Sequence, residues 1–131
     1  MGTPTTSDVE AGTAEGAPAP PAFEDAPVGL VLADPSGRVL AANAKWREIT
    51  GFSGVLPVAD HEALALLHPE DQPMVRDAWD EACALGRELE VRARVVHRDG
   101  AVRWVDTRAT PVLDRDRTVM GFAASVLDLT H

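Results

Sequence analysis

Residues 71–95 read DQPMVRDAWDEACALGRELEVRARV, and the spacing of the apolar residues changes once within this stretch. In the first half they recur at i, i+3, i+4, i+7 and i+8, which places them on one helix face: Val75, Ala78, Trp79, Ala82 and Cys83. After Gly86 every second residue is apolar, which is the period of a strand with one buried face. The stretch therefore predicts a helix that Asp71 caps at its N-terminus and Gly86 ends, followed directly by a strand.

The residues that follow this strand predict two more strands. An Arg98-Asp99-Gly100 turn precedes a strand over 101–111, because Asp-Gly favours a tight hairpin. A second turn, over 114–117, precedes a last strand over 119–127. The C-terminal third of the chain is therefore expected to be a three-stranded antiparallel unit.

The residues before the long helix predict a hairpin and two short helices. Apolar runs over 28–33 and 38–42 flank a turn with Pro and Gly at 34–37. Asn43 is a suitable N-cap for a helix over 44–50 that stops at Gly51, and 61–67 form one or two further helical turns. Together these elements predict an α+β fold, with a five-stranded antiparallel sheet and the helices grouped on one face.

The composition of the N-terminus predicts a boundary near residue 23. Residues 1–22 hold four Pro, three Gly and four Thr and lack large apolar side chains. Such a segment buries too little apolar area to offset the entropy lost on ordering it. We expect 1–22 to be a disordered arm or linker and 23–131 to form a single domain.

Charge and composition exclude several classes of function. Twelve Lys and Arg against 21 Asp and Glu give a net charge of −9, which disfavours nucleic acid and anionic membranes as partners. No apolar run is long enough to span a membrane, and no secretory signal is present, so a cytoplasmic protein is expected. A single cysteine, Cys83, rules out an internal disulfide.

Seven short motifs in a fixed order carry a resemblance to a known family. They are Phe23-x-x-Ala26-Pro27-x-Gly29, Asp34-x-x-Gly37-x-Val39 leading to Asn43, Gly51-Phe52, His68-Pro69-Glu70-Asp71, Gly86, Arg98-Asp99-Gly100 followed by Arg103-Trp104-Val105, and Asp128-Leu129-Thr130. Over about residues 23–130 the chain resembles a PAS (Per-ARNT-Sim) sensor domain of the PAS/PAC type.

This resemblance implies a sheet in strand order 2-1-5-4-3 and helices that enclose a small apolar cavity. It also implies a bacterial signalling role, in which a change passes through the last strand to an effector. That effector would be a kinase, cyclase, phosphatase or transcription regulator, in the same or another chain. Because the chain stops at His131, where such proteins continue into a linker, we expect a fragment of a longer receptor, with a stand-alone domain that works in trans as the alternative.

Two hypotheses for function follow from the resemblance. In the first, the cavity binds an unidentified small molecule through Leu32, Ile49, Leu66, Val75, Trp79 and Val91, with Arg92 as an anchor for an acidic ligand. In the second, the core is filled, and the domain is a ligand-free protein–protein interaction module that supports dimerisation.

Known cofactor and catalytic patterns are not evident in the sequence. The long helix has no histidine for heme, and His68 precedes it in a structural position. Cys83 lies outside the motif of flavin-binding relatives. The spacing of His61, Glu62, His68 and Asp71 matches no common metal site. A small α+β enzyme would need a converging acid–base pair, which we do not find, so no enzymatic activity is expected.

The face of the predicted strand that carries Trp104 suggests a homodimer. Val102, Asp106 and Arg108 share this face, which the family pattern places on the outside of the sheet. A large exposed aromatic residue commonly marks a contact surface, so Phe23, Val102 and Trp104 are predicted at a dimer interface. Alternatively, the residues before Pro27, starting with Phe23, fold back over Trp104.

Overall fold

The computed structural model describes residues 21–129, which form one five-stranded sheet and four helices. The predicted arm, apart from its last two residues, and the final residues 130–131 lie outside this range. The elements are α1 (Pro21–Glu24), β1 (Gly29–Ala33), β2 (Val39–Ala42), α2 (Ala44–Thr50), α3 (Asp60–Leu64), α4 (Gln72–Leu85), β3 (Leu89–Val96), β4 (Val102–Leu113) and β5 (Val119–Asp128).

The sheet is antiparallel throughout, and its strands lie in the order β2-β1-β5-β4-β3. This order confirms the predicted 2-1-5-4-3 arrangement. The last strand, β5, occupies the centre, where it pairs with β1 on one side and with β4 on the other. A displacement of β5 therefore acts on both of its neighbours, β1 and β4, and so on both halves of the sheet.

Asn43 holds the N-terminal half of the fold together. Its side-chain oxygen accepts hydrogen bonds from the amides of Trp46 (3.0 Å) and Leu30 (2.9 Å), so it caps α2 and ties it to β1. Its side-chain nitrogen donates to the carbonyls of Phe23 (2.9 Å) and Val28 (3.0 Å). Asn43 is fully buried, and this complete set of partners is what makes that burial tolerable.

The start of α4 differs from its prediction in one respect. Asp71 precedes the helix as expected, but its carboxylate makes no capping hydrogen bond. The carboxylate instead accepts two bonds from the Arg94 guanidinium on β3, at 2.7 and 3.0 Å, and one from the Arg94 amide. A two-point ion pair with a guanidinium is stronger than a single bond to a backbone amide, so Asp71 joins the helix to the sheet edge.

The two faces of the sheet have different environments. The inner face packs under the helices around a buried cluster that includes Trp46, Ile49, Val95 and Val105. On the outer face, several apolar side chains remain exposed. Within residues 21–129, no helix has both the length and the apolar composition needed to cross a membrane.

Candidate functional site

A cavity of about 160 Å³ lies between α4 and the inner face of the sheet. Side chains from all five strands surround it, and α2, α3, α4 and the segment after α3 complete its wall. Nearly all of these side chains are apolar. An internal apolar space of this kind is the feature of the fold best suited to hold a small molecule.

Small side chains at inward positions of the sheet create this space. Ala33, Ala93, Ala109 and Ala124 all line the cavity, and each lies on a different strand. Ala109 pairs with both Leu89 and Ala124, so two alanines face the helices at adjacent central positions. A methyl group at such a position leaves a gap under α4 that a larger residue would fill.

Three aromatic side chains shape the cavity. Trp79 on α4 and Phe122 on β5 lie in a tilted arrangement, with their ring centroids 5.1 Å apart. Trp46 on α2 also lines the space and packs against Phe52 at 5.4 Å. Gly37 lies beneath Trp79 at a φ of +97°, and a Cβ there would collide with the indole nitrogen. Glycine is therefore required in the β1–β2 turn to accommodate the ring.

Few polar groups reach the cavity. The Thr50 hydroxyl is engaged, because it donates to the carbonyl of Trp46 at 2.8 Å and accepts from the amide of Phe52 at 3.2 Å. Thr107 and Asp60 also lie in the wall, and Asp60 is the only acidic or basic residue that the described part of the chain contributes to it. Cys83 is outside the lining, and its burial, together with nearby carboxylates such as Asp60, raises the pKa of its thiol.

Four of the seven residues predicted to contact a ligand lie in the cavity wall: Leu66, Val75, Trp79 and Val91. Ile49 is 1% exposed and belongs to the adjoining core cluster, outside the lining. The placement of Leu32 and Arg92 in the cavity was wrong. Both side chains are exposed and lie on the outer face, since their neighbours Val31, Ala33, Val91 and Ala93 point inward.

The lining also includes residues that the sequence analysis did not select. These are chiefly the four inward alanines and Phe122, together with Thr107. Alternation along β3 and β4 would have indicated the inward direction of Ala93, Thr107 and Ala109. The small size of the alanines was the available signal for a cavity.

Two of the three residues predicted at a dimer contact lie on the outer face of the sheet. Val102 is 45% exposed and Trp104 is 46% exposed. The third, Phe23, lies in α1, where it is partly buried and its carbonyl accepts a hydrogen bond from Asn43. Residues 23–26, the predicted alternative cover, leave Trp104 with this exposure.

Arg94 connects this outer face to the helix that covers the cavity. While its nitrogens bind Asp71, its guanidinium carbon lies 5.3 Å from the centre of the Trp104 ring. The hydrogen bonds from Arg94 lower the pKa of Asp71 to about 2. The first turn of α4, the edge of the sheet and Trp104 therefore form one connected cluster.

Comparisons with known proteins agree with this architecture. A family model of the PAS fold matches residues 39–126. A blue-light-activated histidine kinase of Brucella anthropi is 30% identical over 108 residues, which are 82% of this chain and 21% of the kinase. The bacterioopsin transcriptional activator of Halobacterium salinarum is 24% identical over 113 residues, 84% of this chain and 17% of the activator.

A solved structure shows the same fold. The PAS domain of a protein from Colwellia psychrerythraea matches with a TM-score of 0.69 and 19% identity, covering 94% of this chain and 98% of that domain. The chain thus spans a small part of its curated relatives but nearly all of a PAS domain. On the family match and the shared fold, this chain belongs to the PAS domain family.

Proposed function

We propose that this chain is a cytoplasmic signal-sensing module that binds a small ligand in its internal cavity and acts as a homodimer. The observation that carries the proposal is the apolar cavity of about 160 Å³ between α4 and the sheet. Relatives of this chain are parts of a histidine kinase and a transcriptional activator, which supports an effector in the same or another chain. A kinase, cyclase, phosphatase or transcription regulator fits this role.

The central strand β5 supplies the route from the cavity to the effector. Phe122, Ala124 and Val126 on this strand line the cavity, whereas Leu127 is 48% exposed on the opposite face. A ligand that displaces the inward side chains therefore moves a strand whose other side is available to a partner. Closely packed interiors transmit such displacements because they have little free volume to absorb them.

The apolar outer face supports a homodimer. Trp104 and Val102 lie near Leu127 on neighbouring strands, and all three are roughly half exposed. Their burial against a second copy removes apolar surface from water and provides the driving force for association. Phe23 completes the interface in this proposal.

The ligand in this proposal is smaller than a flavin or a heme. Pockets for drug-sized ligands measure roughly 300–1,000 Å³, whereas this one measures about 160 Å³. Among residues 21–129, no histidine or cysteine lines it that could bind heme iron or react with a flavin. A smaller molecule is therefore the ligand in this proposal.

In this proposal the domain has a regulatory role and no catalytic activity of its own. The net charge of −9 disfavours nucleic acid as the partner. Within residues 21–129, no group of three or more His, Cys, Asp or Glu side chains is arranged to hold a metal ion.

Two measurements on the purified protein test the proposal. Native mass spectrometry is expected to detect a bound small molecule or one acquired from a metabolite mixture. Light scattering is expected to show a dimer that Trp104→Ala converts to monomer, while Thr110→Ala, at an exposed position on the same strand, leaves it dimeric. A monomeric wild-type protein without any ligand would refute the proposal.

The ligand-free interaction module is the second candidate, and the exposed Trp104 favours it. It requires a filled core, so the cavity argues against it. A dimer that binds no compound in the same two measurements would support this candidate over the first.

A further inference from the structure

The size and lining of the cavity define a ligand class more closely than the proposed function does, and this inference depends on that function. An apolar cavity of about 150 Å³ in a protein core binds benzene or xenon. The cavity here has nearly the same volume, about 160 Å³. One aromatic ring with a short substituent therefore fits, whereas a fused cofactor or a long acyl chain does not.

The charge of the wall opposes an anionic ligand. Among residues 21–129, no Arg, Lys or His lines the cavity, and Asp60 is the one acidic residue that does. Arg92 cannot serve as an anchor, because its side chain is exposed on the other face of the sheet. A carboxylate in this cavity would lose its hydration without gaining a counter-ion, and the Asp60 charge would repel it.

The polar groups of the wall also favour a ligand with little hydrogen-bonding capacity. The Thr50 hydroxyl already has a donor and an acceptor within the protein. In residues 21–129, no fully buried side-chain nitrogen or oxygen lacks a hydrogen-bond partner. An apolar ligand therefore binds without disturbing existing hydrogen bonds.

Aromatic side chains in the wall favour a ring over an aliphatic chain. Trp79 and Phe122 meet at a tilt of 60°, and Trp46 contributes a third ring to the lining. An aromatic ligand gains edge-to-face contacts with such rings in addition to its burial. We propose that the cavity binds a compact, uncharged aromatic compound of single-ring size and discriminates against carboxylates.

Three probes of the same ring size test this assignment: toluene, benzylamine and benzoate. Thermal unfolding is measured with each probe, and dissociation constants are obtained by titration calorimetry. Toluene is expected to raise Tm saturably by several degrees, because a ligand that binds the folded state stabilises it. Benzoate is expected to bind at least about tenfold more weakly. Benzylamine, which carries a cation toward Asp60, is expected to fall between them.

Two matched pairs of variants locate the binding. Ala109→Leu fills the cavity and is expected to abolish the toluene shift, whereas Ala84→Leu, at an exposed position on α4, leaves it unchanged. Asp60→Asn is expected to reduce the difference between the dissociation constants of benzoate and toluene. Asp77→Asn, at an exposed position on α4, is expected to leave this difference unchanged. Circular dichroism establishes that each variant is folded.

The outcomes separate this inference from the function on which it depends. Benzoate binding as tightly as toluene, with loss in Ala109→Leu, would overturn the ligand class and leave the cavity as the sensing site. Failure of all three probes would also overturn the ligand class. If native mass spectrometry then found a different bound compound, the sensing function would stand, and if it found none, both would fall.

Discussion

Replacing Ala109 by leucine tests whether the space beneath α4 is real, because the sign of the stability change depends on it. Ala109 is 1% exposed and lines the cavity. Leucine adds three carbon atoms, whose burial contributes about 2.4 kcal/mol at roughly 0.8 kcal/mol per carbon. Ordering the longer side chain costs about 0.5–1 kcal/mol. The free energy of unfolding should therefore rise by about 1.5 kcal/mol, or Tm by roughly 5–10 °C.

A matched substitution on α4 supplies the control. Ala82 is 3% exposed but lies outside the cavity lining, so a leucine there has no space to enter. Overpacking of this kind destabilises a core by about 1–3 kcal/mol. Leucine also forms helices well, so helix propensity does not contribute to the loss.

The assay is urea unfolding followed by circular dichroism, with thermal unfolding as a second measure. The two variants are expected to move in opposite directions, Ala109→Leu upward and Ala82→Leu downward. If Ala109→Leu lost as much stability as Ala82→Leu, the inner face of the sheet would be closely packed, and the reasoning about the cavity would be refuted.

Three further predictions concern single residues. Asn43→Ala should lower the free energy of unfolding by about 3 kcal/mol in urea titrations, because buried backbone groups lose their partners; a loss below about 1 kcal/mol would contradict this. Because the pKa of Asp71 is lowered from 3.8 to about 2, its contribution to stability is complete only above about pH 5 and is lost as the pH falls through 3.8 toward 2. The free energy of unfolding, measured across this pH range, should therefore fall less in Asp71→Asn than in the wild type. An equal dependence on pH in both proteins would count against the Arg94 contact. Burial raises the pKa of the Cys83 thiol, so the rate of its alkylation in the folded protein should reach half of its maximum above pH 9.0. A midpoint below pH 9.0 would contradict the raised pKa.

Regular periodicity made most of the architecture predictable. The change of period at Gly86 located α4 and β3, because polar residues mark the solvent side of both elements. Asn43 and Gly51 fixed both ends of α2, and Gly51 adopts the left-handed conformation expected of a residue that ends a helix. These signals are local, which is why a single sequence contains them.

The errors arose where local pattern carries no direction. The run 28–33 is apolar at every position, so nothing in it distinguishes the inward Val31 from the outward Leu32. Arg92 was predicted to line the cavity, although the alternation of β3 puts its side chain on the outer face and that of its neighbour Val91 on the inner face. The role of Asp71 depends on Arg94, 23 residues away, and such a long-range contact competes with local capping in a way that spacing cannot reveal.

The cavity itself depends on side-chain sizes summed over several strands. An inward alanine is unremarkable on any one strand, and the gap arises only because pairing brings Ala109 and Ala124 side by side. Part of the wall could be predicted from the sequence: Leu66 after α3, Val75 and Trp79 on α4, and Val91 on β3. The apolar residues of α4 follow a clear helical period, and those of β3 alternate with polar ones. The opposite wall, which includes Phe122, could be assigned only once the pairing register of β5 was known.

The most direct test of the central claim is a crystal structure of the protein under xenon pressure. Xenon binds in apolar internal cavities and does not enter a closely packed core. The account predicts a xenon atom between Val91, Ala109 and Phe122, in the space of about 160 Å³ beneath α4. A structure in which side chains fill that space, with no xenon between these residues, would contradict it.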